Sequence, residues 1–155
     1  MFAVQIAKNR GAKVFATAST ANQDFLKQLG ADVPIDYKTQ KFEDIAKDVD
    51  VVVDGVGGDT LARSYPIVKK GGIVVDLVAR LDKAQLEKYG IRGALVEVES
   101  NGDQLAQIGK LIDEKKIRVI VSQTFPLAEA AKAETEADKG HTRGKIVLKV
   151  AEEQK

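Results

Sequence analysis

The stretch Val51-Val52-Val53-Asp54-Gly55-Val56-Gly57-Gly58 decides the fold. Three consecutive β-branched residues predict a strand covered on both faces, as in a parallel sheet flanked by helices. The glycines that follow predict a loop where a ligand, or the next helix, comes close to bare backbone. A strand running straight into such a loop is the repeating unit of open α/β sheets, and the chain repeats it in both directions.

Toward the amino end, residues 33–36 and 13–17 read as two further short strands. Residues 1–10 read as a helix, with Phe2 over Ile6 and Ala3 over Ala7, ended by Gly11. Thr20 and Gln23 have the spacing of a capping box, and the helix they open buries Phe25, Leu26 and Leu29 before Gly30. Residues 41–47 read as a short helix. Toward the carboxyl end, residues 60–70 read as a helix interrupted by Pro66 and ended by Gly71-Gly72, and residues 73–78 as the next buried strand. Residues 82–89 form a weaker helical segment. The run Ala94-Leu95-Val96-Glu97-Val98-Glu99 alternates apolar with acidic residues and reads as an edge strand. Asn101 and Gln104 open an amphipathic helix carrying Leu105, Ile108, Leu111 and Ile112. Residues 117–121, an alanine-rich helix over 127–139 and a strand over 145–150 complete the series. The pattern predicts an α/β fold with a Rossmann-like, doubly wound, mainly parallel sheet. Residues 1–155 show no repeat or linker and read as a single domain.

Composition narrows the function. The 155 residues hold 24 Lys and Arg against 23 Asp and Glu, a net charge of +1, which predicts neither a nucleic-acid nor a membrane partner. Cys 0 excludes a disulfide framework, a thiolate nucleophile and cysteine-ligated metal, and a single histidine leaves transition metals little to bind, so no metal is expected. Aromatic residues make up 5% with no tryptophan, which argues against base-stacking platforms. No apolar run approaches the roughly 20 residues needed to cross a bilayer. Residues 1–10, interrupted by Gln5 and Lys8, make no secretory signal, so a cytoplasmic location is expected.

Ligands of open α/β sheets sit beyond the carboxyl ends of the strands. That rule selects Thr17 to Thr20, Asp36-Tyr37, Asp54 to Gly58, Leu77 to Arg80 and Gln123 to Phe125. The dinucleotide fingerprint G-x-G-x-x-G is absent, since Gly55-x-Gly57 is followed by Thr60 where the third glycine should stand. Each candidate has a structural reading as well. Gly55 to Gly58 can be a tight turn, Ser19 and Thr20 can be helix caps, and Tyr37 can cover the sheet edge. His141 reads as a solvated loop histidine. Asp76, inside the strand Ile73-Val74-Val75-Asp76-Leu77-Val78, needs a partner, and solvent reaching the strand end is the expected one.

Several stretches together resemble one family: Phe2-Ala3-Val4-Gln5-Ile6-Ala7-Lys8, Gly11-Ala12-Lys13-Val14-Phe15-Ala16-Thr17, Leu26-Lys27-Gln28-Leu29-Gly30-Ala31-Asp32, Val53-Asp54-Gly55-Val56-Gly57-Gly58 and Lys70-Gly71-Gly72. The last and most specific are Arg92-Gly93 and Gly140-His141-Thr142-Arg143-Gly144-Lys145-Ile146-Val147-Leu148. The chain is similar throughout to the cofactor domain of medium-chain dehydrogenase/reductases, in their zinc-independent quinone-oxidoreductase-like branch. The resemblance implies a carboxyl-terminal portion that lacks the catalytic domain, the first Rossmann strand and its glycine loop. It implies NAD(P)H as cofactor, a quinone or conjugated enal or enone as acceptor, and a homodimer through the edge strand from Ala94 to Glu99.

By the same resemblance Ser19 and Thr20 border the adenosine ribose, and Tyr37 lies against the adenosine phosphate. Gly55, Val56, Leu77 and Val78 border the nicotinamide, with Gly144 and Lys145 near it. The segment Thr17 to Thr20 holds no acid to read a ribose 2′-hydroxyl, which favours NADP over NAD. Ala21 stands where some relatives place a basic residue. Weak or absent turnover is expected of these residues alone. The alternative is a non-enzymatic Rossmann-like domain that self-associates, because a sheet without its first strand has a gap that its own strands must close or another chain must fill. A receiver domain phosphorylated at Asp54 is excluded, since residues 13–19 offer no acidic pair for magnesium.

Overall fold

A computed structural model of the protein describes residues 1–78, 80–140 and 142–151. Helix α1 (Phe2–Asn9) leads into β1 (Phe15–Ala18), α2 (Gln23–Gln28), β2 (Val33–Asp36) and the single-turn α3 (Phe42–Ile45). Then come β3 (Val49–Asp54), α4 (Gly58–Ser64), β4 (Val68–Asp76), α5 (Lys83–Tyr89) and β5 (Arg92–Leu95). Helix α6 (Gly102–Asp113), β6 (Val121–Pro126), α7 (Ala130–Asp138) and β7 (Lys145–Lys149) end the order. Every strand pair is parallel, as the βαβ reading requires.

The strands do not close into one sheet. β1 pairs with β2, β3-β4-β5 form a second sheet, and β6 pairs with β7. The gap is therefore neither bridged nor hidden: β1 and β3 lie in separate sheets. They are joined on one face by a cluster in which Ile35, Phe42, Ala46 and Ile67 pack with Phe15, Val33, Val49 and Val52. On the other face Val51 and Val53 of β3 are 53% and 51% exposed, so the expectation of a strand covered on both faces fails there. β-branched residues mark a strand built to be covered, but what covers it lies outside its own sequence.

Several boundaries also move. The residue 60–70 helix stops at Ser64, Pro66 sits in a 3₁₀ turn over Tyr65–Ile67, and β4 already begins at Val68. Gly71-Gly72 thus lies inside a strand instead of ending a helix. A Cβ at Gly72 would meet Val68 Cγ1 at 2.6 Å, Asp50 O at 2.8 Å and Lys69 O at 2.9 Å. Glycine is required there for close backbone approach beside the register shift between Val49 and Val51. Residues 117–121 are not a strand; Ile117, 2% exposed, is buried and pairing begins at Val121. The alternating run 94–99 pairs only as far as Leu95, although β5 is a true sheet edge. Asn101 caps α6 through the Gln104 amide as its spacing predicts, yet Leu105 is 69% exposed. The accessible surface, 10957 Å² for 16.8 kDa, exceeds the ~7,650 Å² of a compact monomer of that mass.

Candidate functional site

The carboxyl ends of β1 and β2 meet. Ala18 and Asp36 are register partners, and the Tyr37 amide donates to the Ala18 carbonyl at 3.2 Å, so Ser19 and Tyr37 leave the sheet from adjacent points. Tyr37 is half exposed. Gln23 does not close a capping box. Its Nε2 donates to the carbonyls of Ala18 (2.9 Å), Ser19 (3.2 Å) and Ile35 (3.2 Å), tying the ends of both strands to α2. The two hydrogens of this amide are shared among the three carbonyls, two of which also accept the Tyr37 and Asn22 backbone amides, so the Gln23 side chain is drawn to the strand ends and not to the helix terminus. Thr20 is likewise diverted from capping: its hydroxyl is the largest of the influences that hold the Asp36 carboxyl below the ordinary carboxylate range, followed by the Lys38 amide and the Thr39 side chain against partial desolvation. Ser19 Oγ accepts from Asn22 Nδ2 at 3.2 Å.

A second pair of ends meets at β3 and β4. Asp54 Oδ1 accepts from the Val56 amide at 2.6 Å and the Gly57 amide at 2.7 Å, and Asp76 Oδ1 accepts from the Val78 amide at 2.7 Å. The Leu77 amide donates to the Asp54 carbonyl at 2.9 Å. Gly57 and Gly58, with φ of 76° and 56°, take the left-handed conformations that turn the chain into α4. Gly55 has no such need; a Cβ there would meet only Leu77 Cδ1 at 3.9 Å, so its backbone is open to approach. Val56, Leu77 and Val78 present apolar side chains that are 73%, 49% and 58% exposed beside these turns. Asp76 corrects one expectation: it is 0% exposed, and an amide of its own loop serves where solvent was expected.

Gly144 and Lys145 take another position, at the start of β7. A Cβ on Gly144, whose φ is 120°, would run into the Ile120 carbonyl, and the Lys145 amide donates to that same carbonyl at 2.8 Å. Lys145 Nζ lies 5.7 Å from the Phe2 ring centroid, at the amino end of α1. Its charge, after burial, helps lower the pKa of the Met1 amino group. A lysine at the positive end of a helix favours an anion. The structure thus joins Ser19 with Tyr37 and Gly55-Val56 with Leu77-Val78, while Gly144 and Lys145 pack against Ile120 and Phe2. His141 lies outside the described residues. Sequence reading missed Asp54 and Asp76 as loop clamps, although an aspartate two or three residues ahead of a turn amide is the signature of such a turn.

The family model described as zinc-binding dehydrogenase matches residues 29–148. The chain is 32% identical to the NADPH-dependent alkenal/one oxidoreductase, chloroplastic, of Arabidopsis thaliana over 94% of this chain and 36% of that protein. It is 33% identical to the trans-enoyl reductase pgmF of Aspergillus terreus over 97% of this chain and 48% of that protein. Among solved structures, the quinone oxidoreductase from Coxiella burnetii superposes with a TM-score of 0.86 at 37% identity, over 96% of this chain and 48% of that one. The chain therefore spans half or less of the length of these relatives. With its parallel α/β units and open strand ends, it belongs to the medium-chain dehydrogenase/reductase superfamily, in the family described as zinc-binding dehydrogenase, and corresponds to the carboxyl-terminal cofactor domain.

Proposed function

We propose that residues 1–155 are one cofactor-binding domain of an NAD(P)H-dependent oxidoreductase that passes hydride to a quinone or a conjugated enal or enone. The observation that carries this reading is the pairing of exposed strand-end segments, Ser19 with Tyr37 and Gly55-Val56 with Leu77-Val78, at the carboxyl ends of parallel strands. These positions fit a dinucleotide. The Ser19 and Thr20 hydroxyls and the Tyr37 ring border its adenosine end. Val56, Leu77 and Val78 line the nicotinamide with apolar surface, and the open backbone of Gly55 permits close approach. Gly144 and Lys145 are assigned near the nicotinamide by the family resemblance, and the Lys145 ammonium, 5.7 Å from the Phe2 ring at the amino end of α1, suits an anionic group there. When bound, the nicotinamide supplies the hydride; the chain orients it and needs no nucleophile of its own.

NADPH is preferred over NADH in this reading. No acid projects from Thr17 to Thr20, and Asp36, 8% exposed, is turned inward to the Lys38 amide and the Thr20 hydroxyl. The family description mentions zinc, but the residues here do not fit it. The chain has no cysteine and one histidine, and among the described residues no three metal-ligating side chains group together. No step is therefore routed through a metal. No helix among the described residues is long and apolar enough to cross a membrane.

Titration of NADPH and NADH into the 155-residue protein, followed by cofactor fluorescence, tests the reading. Binding weaker than micromolar, tighter for NADPH, with little or no enone reduction by these residues alone, is expected. No interaction with either cofactor at millimolar concentration contradicts it.

A second reading, self-association, is favoured by the exposed Leu95, Val96 and Val98 after the β5 edge and by Leu105 and Ile108 on α6. A homodimer through residues 94–99 would cover this surface.

A further inference from the structure

Two buried aspartates outside the residues assigned to the cofactor hold the nicotinamide side of the site together. Asp54 ends β3, Asp76 ends β4, and the two are register partners, so their side chains leave the same face of the sheet about 5 Å apart. They are 4% and 0% exposed. A surface turn of this kind keeps its carboxyl group in water, whereas these two are withdrawn from it side by side, which is costly for polar groups. Asp54 Oδ2 has no hydrogen-bond partner among the described residues, so the burial of Asp54 is offset only through Oδ1.

That oxygen holds the Val56 and Gly57 amides, and Asp76 Oδ1 holds the Val78 amide. The main chains extend the linkage: the Leu77 amide donates to the Asp54 carbonyl and the Val96 amide to the Asp76 carbonyl, at 2.9 and 3.0 Å. Loops 55–57 and 77–78 are thereby fixed relative to each other, while the side chains they carry face outward.

We infer that Asp54 and Asp76 are positioning residues whose buried carboxylates clamp these two loops in the shape that presents Val56, Leu77 and Val78 to the nicotinamide ring. The inference rests on the proposed cofactor site. It distinguishes an acceptor from a charge. Asparagine at position 54 keeps Oδ1 for the two amides without the carboxyl's charge, whereas alanine leaves the amides of Val56 and Gly57 without their acceptor.

Saturation-transfer NMR with NADPH reads the two ends of the cofactor separately. The wild-type chain is expected to transfer to both adenine and nicotinamide protons. Asp54→Ala is expected to lower the nicotinamide-to-adenine ratio about fivefold or more, the effect of losing one hydrogen bond's worth of orientation, and Asp54→Asn to restore it. An unchanged ratio in Asp54→Ala, or an equal fall in Asp54→Asn, overturns the inference. Adenine transfer without nicotinamide transfer in the wild type overturns the inference and leaves the cofactor reading standing, whereas no transfer at either end overturns both. If Asp54→Ala does not fold, Asp54→Ser is read in the same way; loss of the fold in both makes Asp54 a folding residue and overturns the inference.

Discussion

The Lys38 amide donates to Asp36 Oδ1 at 3.0 Å at the paired carboxyl ends of β1 and β2, and the Thr20 side chain is the first of the influences that hold that carboxyl below the ordinary carboxylate range. A residue singled out as a cofactor neighbour therefore also carries part of the fold. Thr20→Val is expected to unfold at lower urea than the wild type, because it removes the hydroxyl that most favours the ionised form of a largely buried carboxyl, while Thr20→Ser restores the midpoint. Ser19→Ala, which loses only a contact with Asn22, is expected to leave the midpoint nearly unchanged. Equal stability of Thr20→Val and wild type would contradict this role of the hydroxyl.

Acid should weaken the fold through the same kind of contact. Asp32 is held below the ordinary carboxylate range, first by its hydrogen bond with Lys8 and then by the Val14 amide. A carboxyl whose folded pKa is depressed contributes stability that is present above the unfolded value of about 3.9 and lost as pH falls through the folded value. Asp32→Asn should therefore melt below the wild type at pH 7, and the gap should close on acidification below about pH 4. Melting curves by circular dichroism across that range check this; a gap that stays constant contradicts it.

Glycines at two positions should respond in opposite directions to alanine. Gly72→Ala forces a Cβ against Val68 and the carbonyls of Asp50 and Lys69, and a loss of about 1–3 kcal/mol in chemical denaturation is expected. Gly109, inside α6 with nothing within 4 Å of a Cβ, should gain about 0.5–1 kcal/mol as alanine from helix propensity. A neutral Gly72→Ala would mean that β4 does not pass this close to its neighbours.

Exposed apolar surface makes a separate demand. With Leu105 and Ile108 outward on α6 and Val98 94% exposed, light scattering should show a mean mass that rises with concentration, and Leu105→Glu with Ile108→Glu should lower it. A clean monomer at every concentration contradicts the self-association reading.

The βαβ order was legible because period and punctuation are local. β-branched runs gave the core strands, Asn101 gave a true cap, and the strand ends gave the places where Ser19, Tyr37, Gly55 and Val78 lie. What was illegible depends on partners distant in sequence. Gln23 and Thr20 have capping spacing, but the Gln23 amide goes to the carbonyls of Ala18 and Ile35, and the Thr20 side chain acts on the Asp36 carboxyl. Gly71-Gly72 reads as a helix stop until Asp50 is known to lie against it. The exposure of Val51 and Val53 depends on what packs against that face of β3, which no local pattern encodes.

The central claim, that the strand ends of this chain hold a nicotinamide dinucleotide, is tested most directly by mapping amide chemical shifts during an NADPH titration. Shifts concentrated at Ser19, Thr20, Tyr37, Gly55, Val56, Leu77, Val78, Gly144 and Lys145 are the expected result. No shifts at millimolar NADPH, or shifts confined to the groove of Ser100, Asn101, Leu105 and Ile108 at the start of α6, would contradict it.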